Sequence, residues 1–282
     1  MYGAIIGDIV GSVYEWHNIK TKQFPLFRED CHFTDDTVMT IATADALMNG
    51  GTKDDFINAY KKWGRLYPNA GYGGRFGAWI NSDTREPYNS YGNGSAMRVS
   101  PCGWIMNCGF YARTGCWPSN GWETVTNSAE VTHNHPEGIK GAQATAAAVF
   151  LGRFYSGGHC FDYGEKWTFE QLKDEMKRLI EGNLGYDLSQ TLDDIRTEYR
   201  FNETCQETVP QAIIAFLEST SYEDAIRNAI SLGGDSDSLA TITGSIAEAA
   251  YGIPDWIKEK AWAYLDEPLR DVCRRWRKFI RA

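Results

Sequence analysis

The sequence predicts an all-α protein, and three observations carry that reading. Runs of alternating Val, Ile and Thr, which mark half-buried strands, are absent. Ala-rich stretches with apolar residues at helical spacing recur along the chain. Acidic or hydroxyl starts and Gly or Pro stops punctuate those stretches.

The first segment, Gly3-Ala4-Ile5-Ile6-Gly7-Asp8-Ile9-Val10-Gly11, sets glycines four residues apart on one face of a helix. Glycine inside a helix costs about 1 kcal/mol relative to alanine, so the stripe implies a partner that needs close approach. Residues from about 35 to 49 form the next helix through Val38, Met39, Ile41, Ala42, Ala46 and Leu47, and Gly50-Gly51 close it. Asp54-Asp55 open a third that runs through Tyr60 and Trp63. Helical spacing then covers about 95 to 107, 120 to 130, 137 to 155, 168 to 181, 206 to 218 and 221 to 230. The last three helices run from about 236 to 251, stopped by Gly252-Ile253-Pro254, from 254 to 264 and from 267 to 279. Arg274, Arg275, Arg277 and Lys278 on the last read as a solvated basic face.

The 282 residues are 43% hydrophobic and 13% aromatic, ample for a buried core. No Pro/Gly/Ser-rich linker, charge block or repeat divides them, so 1–282 reads as one compact domain. A net charge of -9 disfavours a nucleic-acid surface, while leaving room for a basic pocket around a small anion. Met1-Tyr2-Gly3, with Asp8 inside the first apolar run, is not a secretory leader, and no run of about eighteen apolar residues exists to span a membrane. A soluble cytoplasmic protein is expected. The seven cysteines include no C-x-x-C pair and read as reduced thiols. Cys102, Cys108 and Cys116 are close in sequence but irregularly spaced, which suits buried or incidental thiols better than a metal site.

Chemistry concentrates in two acidic clusters, Thr34-Asp35-Asp36-Thr37 and Gly233-Gly234-Asp235-Ser236-Asp237-Ser238, each just before a helix rich in small residues. Carboxylate and hydroxyl oxygens without His or Cys suit Mg²⁺ or Mn²⁺ better than zinc. Helix capping needs one such residue, and these runs exceed it. Ala42, Ala44 and Ala46 in one helix, and Ala240, Gly244, Ala247, Ala249 and Ala250 in the other, either bring two helix N-termini together or serve plain tight packing.

Three further segments carry candidate groups. Glu15, at the end of an apolar run, is a candidate base or a surface carboxylate at a helix end, and Asp8 reads as a structural acceptor. The turn Ser90-Tyr91-Gly92-Asn93-Gly94, running on to Arg98, either cradles a phosphate with its backbone N–H groups or is a tight turn that needs glycine. It is neither a P-loop nor the dinucleotide fingerprint. In Thr132-His133-Asn134-His135-Pro136 the histidines either hydrogen-bond a substrate or shape a turn; zinc would need a third soft ligand. Serine elbows, catalytic Cys signatures and H-E-x-x-H are absent, which leaves metal and carboxylate to do the chemistry.

Taken in order, Gly7-Asp8-x-x-Gly11-x-x-Tyr14-Glu15, Thr34-Asp35-Asp36-Thr37, Gly71-Tyr72-Gly73, Tyr91-Gly92-Asn93-Gly94-x-x-Met97-Arg98, Thr132-His133 and Gly233-Gly234-Asp235-x-Asp237-Ser238 closely resemble the ADP-ribosylglycohydrolase family. The resemblance runs from the N-terminus to about residue 254. It implies a compact all-α fold with a binuclear Mg²⁺ or Mn²⁺ site at the base of a cleft, held by Thr34, Asp35 and Asp36 from one side and by Asp235, Asp237 and Ser238 from the other. It also implies that Glu15 is the catalytic glutamate, that Ser90, Tyr91, Gly92, Asn93 and Gly94 hold a diphosphate, and that His133 contacts the ligand. Ser238 departs from the pattern, because the family usually has Thr there, but the hydroxyl is kept. The implied activity is metal-dependent hydrolysis of the glycosidic bond between ADP-ribose and an N- or O-linked acceptor, carried by an ADP-ribosylated protein or small molecule. Two rival readings stand beside it: a non-catalytic ADP-ribose-binding or structural relative on the same scaffold, and a metal-dependent nucleotide phosphohydrolase. Tyr91 and Tyr72 are the candidates to stack on adenine.

Overall fold

A computed structural model of the chain describes residues 1–106, 119–157 and 167–281. Among the described residues there are fifteen helices and no strand, which is the all-α class the sequence predicts. At the centre lies α13 (Ser236–Tyr251), buried on every side from Ser236 to Ala247. Its small and hydroxyl side chains let four helices crowd it: α1 (Tyr2–Gly11), α8 (Pro136–Ser156), α11 (Cys205–Leu217) and α12 (Tyr222–Ser231).

The glycine stripe of α1 faces α13, and the two run antiparallel. A Cβ at Gly3 would lie 2.1 Å from the Gly244 carbonyl oxygen, and one at Gly7 2.0 Å from that of Ala240. At Gly11 it would lie 2.5 Å from Asp237 Cα. The distant ends are locked as well, since the Met1 amine and the Gly3 N–H both donate to Glu248 Oε2, at 2.7 and 2.8 Å. The C-terminus of α1 therefore arrives beside the N-terminus of α13, where the second acidic cluster begins.

Against this centre packs a second group made of α2 (Asp35–Met48), α3 (Lys53–Leu66), α6 (Ser100–Ile105) and α15 (Glu267–Phe279). Buried Asp45 ties three of them together by accepting from Lys62 Nζ and Trp63 Nε1 at 2.9 Å and from Arg275 at 3.2 Å. Arg275 thus makes an interhelical tie from the exposed basic face, where Arg274 pairs with Glu267 and Asp271. Arg277 and Lys278 remain exposed.

Most expected helices appear within a few residues of their expected ends, and the departures have local causes. The segment expected over 95 to 107 is broken into α5 (Gly94–Met97) and α6, with residue 107 outside the described residues. Pro101 has no N–H to donate to Met97, whose carbonyl accepts from Thr40 Oγ1 at 3.5 Å instead. The third helix begins at Lys53, because Thr52 and Asp55 form a capping box. Two short helices escaped the sequence reading: α4 (Gly74–Asn81), whose Gly73 cap has no side chain, and α10 (Leu192–Glu198), which does carry a Thr191–Asp194 capping box. Helix α1 stops at Gly11, so Glu15 sits on the following turn rather than at a helix end. Cys102 is a buried thiol, while Cys108 and Cys116 lie outside the described residues. Among the described residues no helix is long and apolar enough to cross a membrane.

Candidate active site

The two acidic clusters meet, but their helices do so through α1. The Asp8 carboxylate, fully buried on α1, accepts the N–H groups of Thr34 and Thr37 at 2.9 and 3.0 Å and the Thr34 hydroxyl at 2.7 Å. It thereby caps α2 while its own helix seats on α13. Ser238 Oγ then donates to Asp36 Oδ1 at 3.4 Å, and carboxylate oxygens of Glu15, Asp235 and Asp237 lie within 4.8 Å of one another. Positive φ angles of 68° and 73° at Gly233 and Gly234 turn the chain into this position, a conformation that favours glycine. Asn18 holds the turn, with its amide donating to the carbonyls of Tyr14, Glu15 and Gly234 and accepting from the Gly234 N–H.

Asp35, Asp36, Asp235, Asp237 and Glu15 thus converge, and among the described residues none of them is ion-paired to Lys, Arg or His. Two oxygens, Asp36 Oδ2 and Asp237 Oδ1, are buried without any hydrogen-bond partner. Burial first, then repulsion from Asp237, holds the carboxyls of Asp35 and Asp36 well above the usual range, and burial with Asp235 does the same to Asp237. Asp235 is pushed up to about 6, chiefly by burial. Glu15 is pushed up to about 8 by burial, then by Asp237 and Asp8, against a hydrogen bond from the Trp16 indole. Partnerless buried anions are costly, and a set of carboxylates and hydroxyls without thiol or imidazole fits a hard divalent cation.

The cluster lines a cleft of about 280 Å³, small but close to the lower end of ligand pockets at roughly 300 Å³. Ser90, Gly92, Asn93 and Gly94 line the same cleft with Arg75, Phe76, Tyr88, Arg98 and His133. The turn is anchored to both sides: the Asn93 N–H donates to the Glu203 carbonyl at 2.7 Å, and its amide to Asp235 Oδ2 at 2.6 Å. Arg98 is buried with its guanidinium 4.1 Å from the centre of the Tyr60 ring and, among the described residues, has no carboxylate partner and leaves Nε unpaired. Its Nη2 donates to Thr132 Oγ1 at 2.8 Å, so the Thr132 hydroxyl is free to donate to His133 Nδ1, also 2.8 Å away. Burial, then Arg98 and Arg75, keep His133 neutral by holding it well below its ordinary value. Its Nε2 faces the turn, 3.1 Å from where a Gly94 Cβ would be. Unpaired carboxylates and the cationic side chains of Arg75 and Arg98 thus line one cleft.

Of the residues singled out in the sequence, Glu15, Asp35, Asp36, Asp235, Asp237, Ser238, Ser90, Gly92, Asn93, Gly94 and His133 line the cleft. Thr34 stands behind the wall; its hydroxyl donates to Asp8 and accepts from the Asp36 N–H at 3.2 Å, which leaves one lone pair. The Tyr91 ring turns outward, 5.3 Å and edge-on from that of His135. Tyr72 packs on Phe76 outside the wall, so the aromatic lining comes from Tyr88 and Phe76 rather than from Tyr91 or Tyr72. Arg75, Tyr88, Glu203 and the tether Asn18 were not found by sequence reasoning. The Gly73-Gly74 pair could have flagged Arg75, whereas the others carry no local pattern.

The family model described as ADP-ribosylglycohydrolase matches residues 1–279. The chain is 27% identical over 292 residues to the ADP-ribosylarginine hydrolase Tri1 of Pseudomonas putida (strain GB-1), covering 93% of this chain and 73% of that protein. It is 27% identical over 321 residues to the ADP-ribosylhydrolase ARH3 of Mus musculus, covering 89% and 82%. A solved structure described as an ADP-ribosylglycohydrolase-related protein complex superposes with a TM-score of 0.62 at 20% identity, covering 93% of this chain and 92% of that one, and shares the fold. On a match that spans all but the last three residues, the chain belongs to the ADP-ribosylglycohydrolase family.

Proposed function

We propose that the chain is a divalent-cation-dependent hydrolase that cleaves the glycosidic bond between ADP-ribose and an N- or O-linked acceptor. The observation that carries this is the pair of buried, partnerless oxygens, Asp36 Oδ2 and Asp237 Oδ1, in a cleft that Arg75 and Arg98 also line. ADP-ribose offers a group to each, with diphosphate and hydroxyl-rich sugar side by side. Thr34, Asp35 and Asp36 from one side and Asp235, Asp237 and Ser238 from the other would hold two Mg²⁺ or Mn²⁺ ions. Bound there, hard cations would neutralise the cluster and supply positive charge to orient and polarise a sugar.

The chain's own groups supply the rest. The turn from Ser90 to Gly94, the Arg98 guanidinium and the His133 ring seat the diphosphate, remote binding that orients the sugar. Glu15, whose carboxylate lies beside those of Asp235 and Asp237, takes a proton from a water whose oxygen attacks the anomeric carbon. The acceptor leaves with the electron pair of the broken bond and picks up a proton.

Incubation with mono-ADP-ribosylated arginine and serine peptides plus Mg²⁺ or Mn²⁺ tests the reading, with free ADP-ribose as the expected product. Glu15→Gln should lower turnover by about 10²- to 10⁴-fold while leaving ADP-ribose affinity unchanged in calorimetry. Near-normal turnover in that variant rejects its role as the base. AMP or phosphate as product would instead support a phosphohydrolase, and binding without turnover a non-catalytic relative.

A further inference from the structure

We propose that Lys20, Arg196 and Arg200 form a second anion site, behind the Gly233-Gly234 turn and outside the acidic cleft, and that it takes a phosphate dianion, free or carried by a small molecule. The three cations line an open recess of about 730 Å³ with Asn18 and Asp193, and none of these five residues lines the cleft. Lys20 comes from the loop after α1, Arg196 from α10 and Arg200 from the residues that follow it. The turn lies against the Lys20 loop: a Cβ at Gly233 would be 3.2 Å from Lys20 Cε and 3.3 Å from Asn18 Cβ.

These cations sit closer together than their charge favours. Lys20 Nζ and Arg200 Nη1 both donate to the Tyr199 carbonyl, at 2.8 and 3.0 Å, so one neutral oxygen serves two positive groups. Lys20 also donates to the Leu232 carbonyl at 2.5 Å, and Arg196 Nε to Ser231 Oγ at 3.1 Å. Such bonds fix the side chains without supplying negative charge. Asp193, the one carboxylate lining the recess, is paired with Arg196, and among the described residues Lys20 and Arg200 have no carboxylate partner. Burial, then repulsion from Arg200 and Arg196, accordingly holds Lys20 below its ordinary pKa. A cluster of this kind in a chain of net charge -9 calls for an anion.

The neighbouring surface adds a second sign of a ligand. A smaller recess of about 270 Å³ shares Lys20, Asp193 and Arg196 and adds Lys22 and Asn228. Asn228 is buried; its Nδ2 donates to the Ala215 carbonyl at 3.0 Å, and its Oδ1 has no partner. A bare acceptor beside cations suits the hydroxyl of a protonated phosphate or of a sugar that carries one. Phosphate also fits the cations better than a carboxylate does. It brings close to two negative charges and at least three acceptor oxygens pointing in different directions, whereas a carboxylate brings one charge and two oxygens in a plane.

Amide chemical shifts locate such a site directly. Inorganic phosphate titrated into the metal-free protein should shift the amides of Lys20, Thr197 and Arg200 saturably, and chloride at the same ionic strength should not. Arg200→Gln should raise the half-saturating concentration read at Lys20 and Thr197 about tenfold, with Arg196→Gln acting in the same direction. Arg200→Lys keeps the charge and should raise it no more than about threefold. Arg75→Gln, which alters the cleft, should leave it unchanged. Shifts confined to the turn from Gly92 to Gly94, a response that does not saturate, or an unchanged midpoint in Arg200→Gln overturns the site. Equal losses in Arg200→Gln and Arg200→Lys overturn it too, because they would make Arg200 a structural tie. Glycerol 3-phosphate binding more tightly than inorganic phosphate assigns the site to a carried phosphate, and the reverse order assigns it to the free ion.

Discussion

Asp8 shows how one buried side chain can set the geometry of a site it does not line. Its carboxylate takes three hydrogen bonds from Thr34 and Thr37 and so fixes the N-terminus of α2 to α1. Asp8→Asn removes one of the two accepting oxygens, and leaving a buried donor unmet costs about 1–3 kcal/mol. Thermal unfolding should show a lower Tm for D8N, with weaker Mn²⁺ binding in calorimetry; wild-type values for both would refute this placement. The sequence marked Asp8 as a structural acceptor, but not its donors, which lie 26 and 29 positions away. His133 was equally open between ligand contact and turn. Only the tertiary structure links it to Arg98 through Thr132 and turns its Nε2 toward the glycine turn.

At the scale of elements, the α1–α13 contact decides how near the clusters come. Gly7→Ala would place a methyl 2.0 Å from a backbone oxygen that cannot move aside, so the helices must part. A cost of about 3 kcal/mol is expected, read as a fall in Tm, with metal affinity falling in parallel. Gly182, near the end of α9 (Phe169–Leu184), has nothing within 4 Å of its Cβ position. Gly182→Ala should therefore stabilise by up to about 1 kcal/mol, opposite in sign for the same chemical change. A loss of stability in G182A, or none in G7A, would contradict the packing. The four-residue glycine spacing announced that a close partner exists. It could not say that the partner is α13, because spacing along a helix carries no address.

For the whole molecule, the acidic cluster couples stability to pH and to cations. Without metal, Glu15 near 8 and Asp235 near 6 lie above their ordinary values of 4.5 and 3.8, so the folded chain binds more protons than the unfolded one between those limits. Stability of the metal-free protein should then fall as pH rises from about 4 to 8, where an uncoupled cluster would give a flat profile. A cation that replaces those protons should bind more tightly as pH rises, with proton release in calorimetry. At a hundredfold excess over its Kd it should add about 2.7 kcal/mol to stability. Chelation should remove that gain and the activity together, and added Mg²⁺ or Mn²⁺ should restore both. Activity that survives excess chelator rejects the metal-dependent reading.

The sequence alone determined the helical class, nearly all of the long helices and the order of the chemical motifs, because periodicity, caps and motif spacing are local properties of the chain. It also supplied the donor types, and these already favour a hard cation. Tertiary structure decided what depends on distance between remote segments: that α1 joins the clusters, that Asn18 clamps two turns, that Arg275 reaches Asp45, and that Tyr88 and Phe76 line the cleft where Tyr91 turns away. Those facts are set by which helices pack face to face, and packing is chosen by the fit of whole surfaces rather than by any short run of residues.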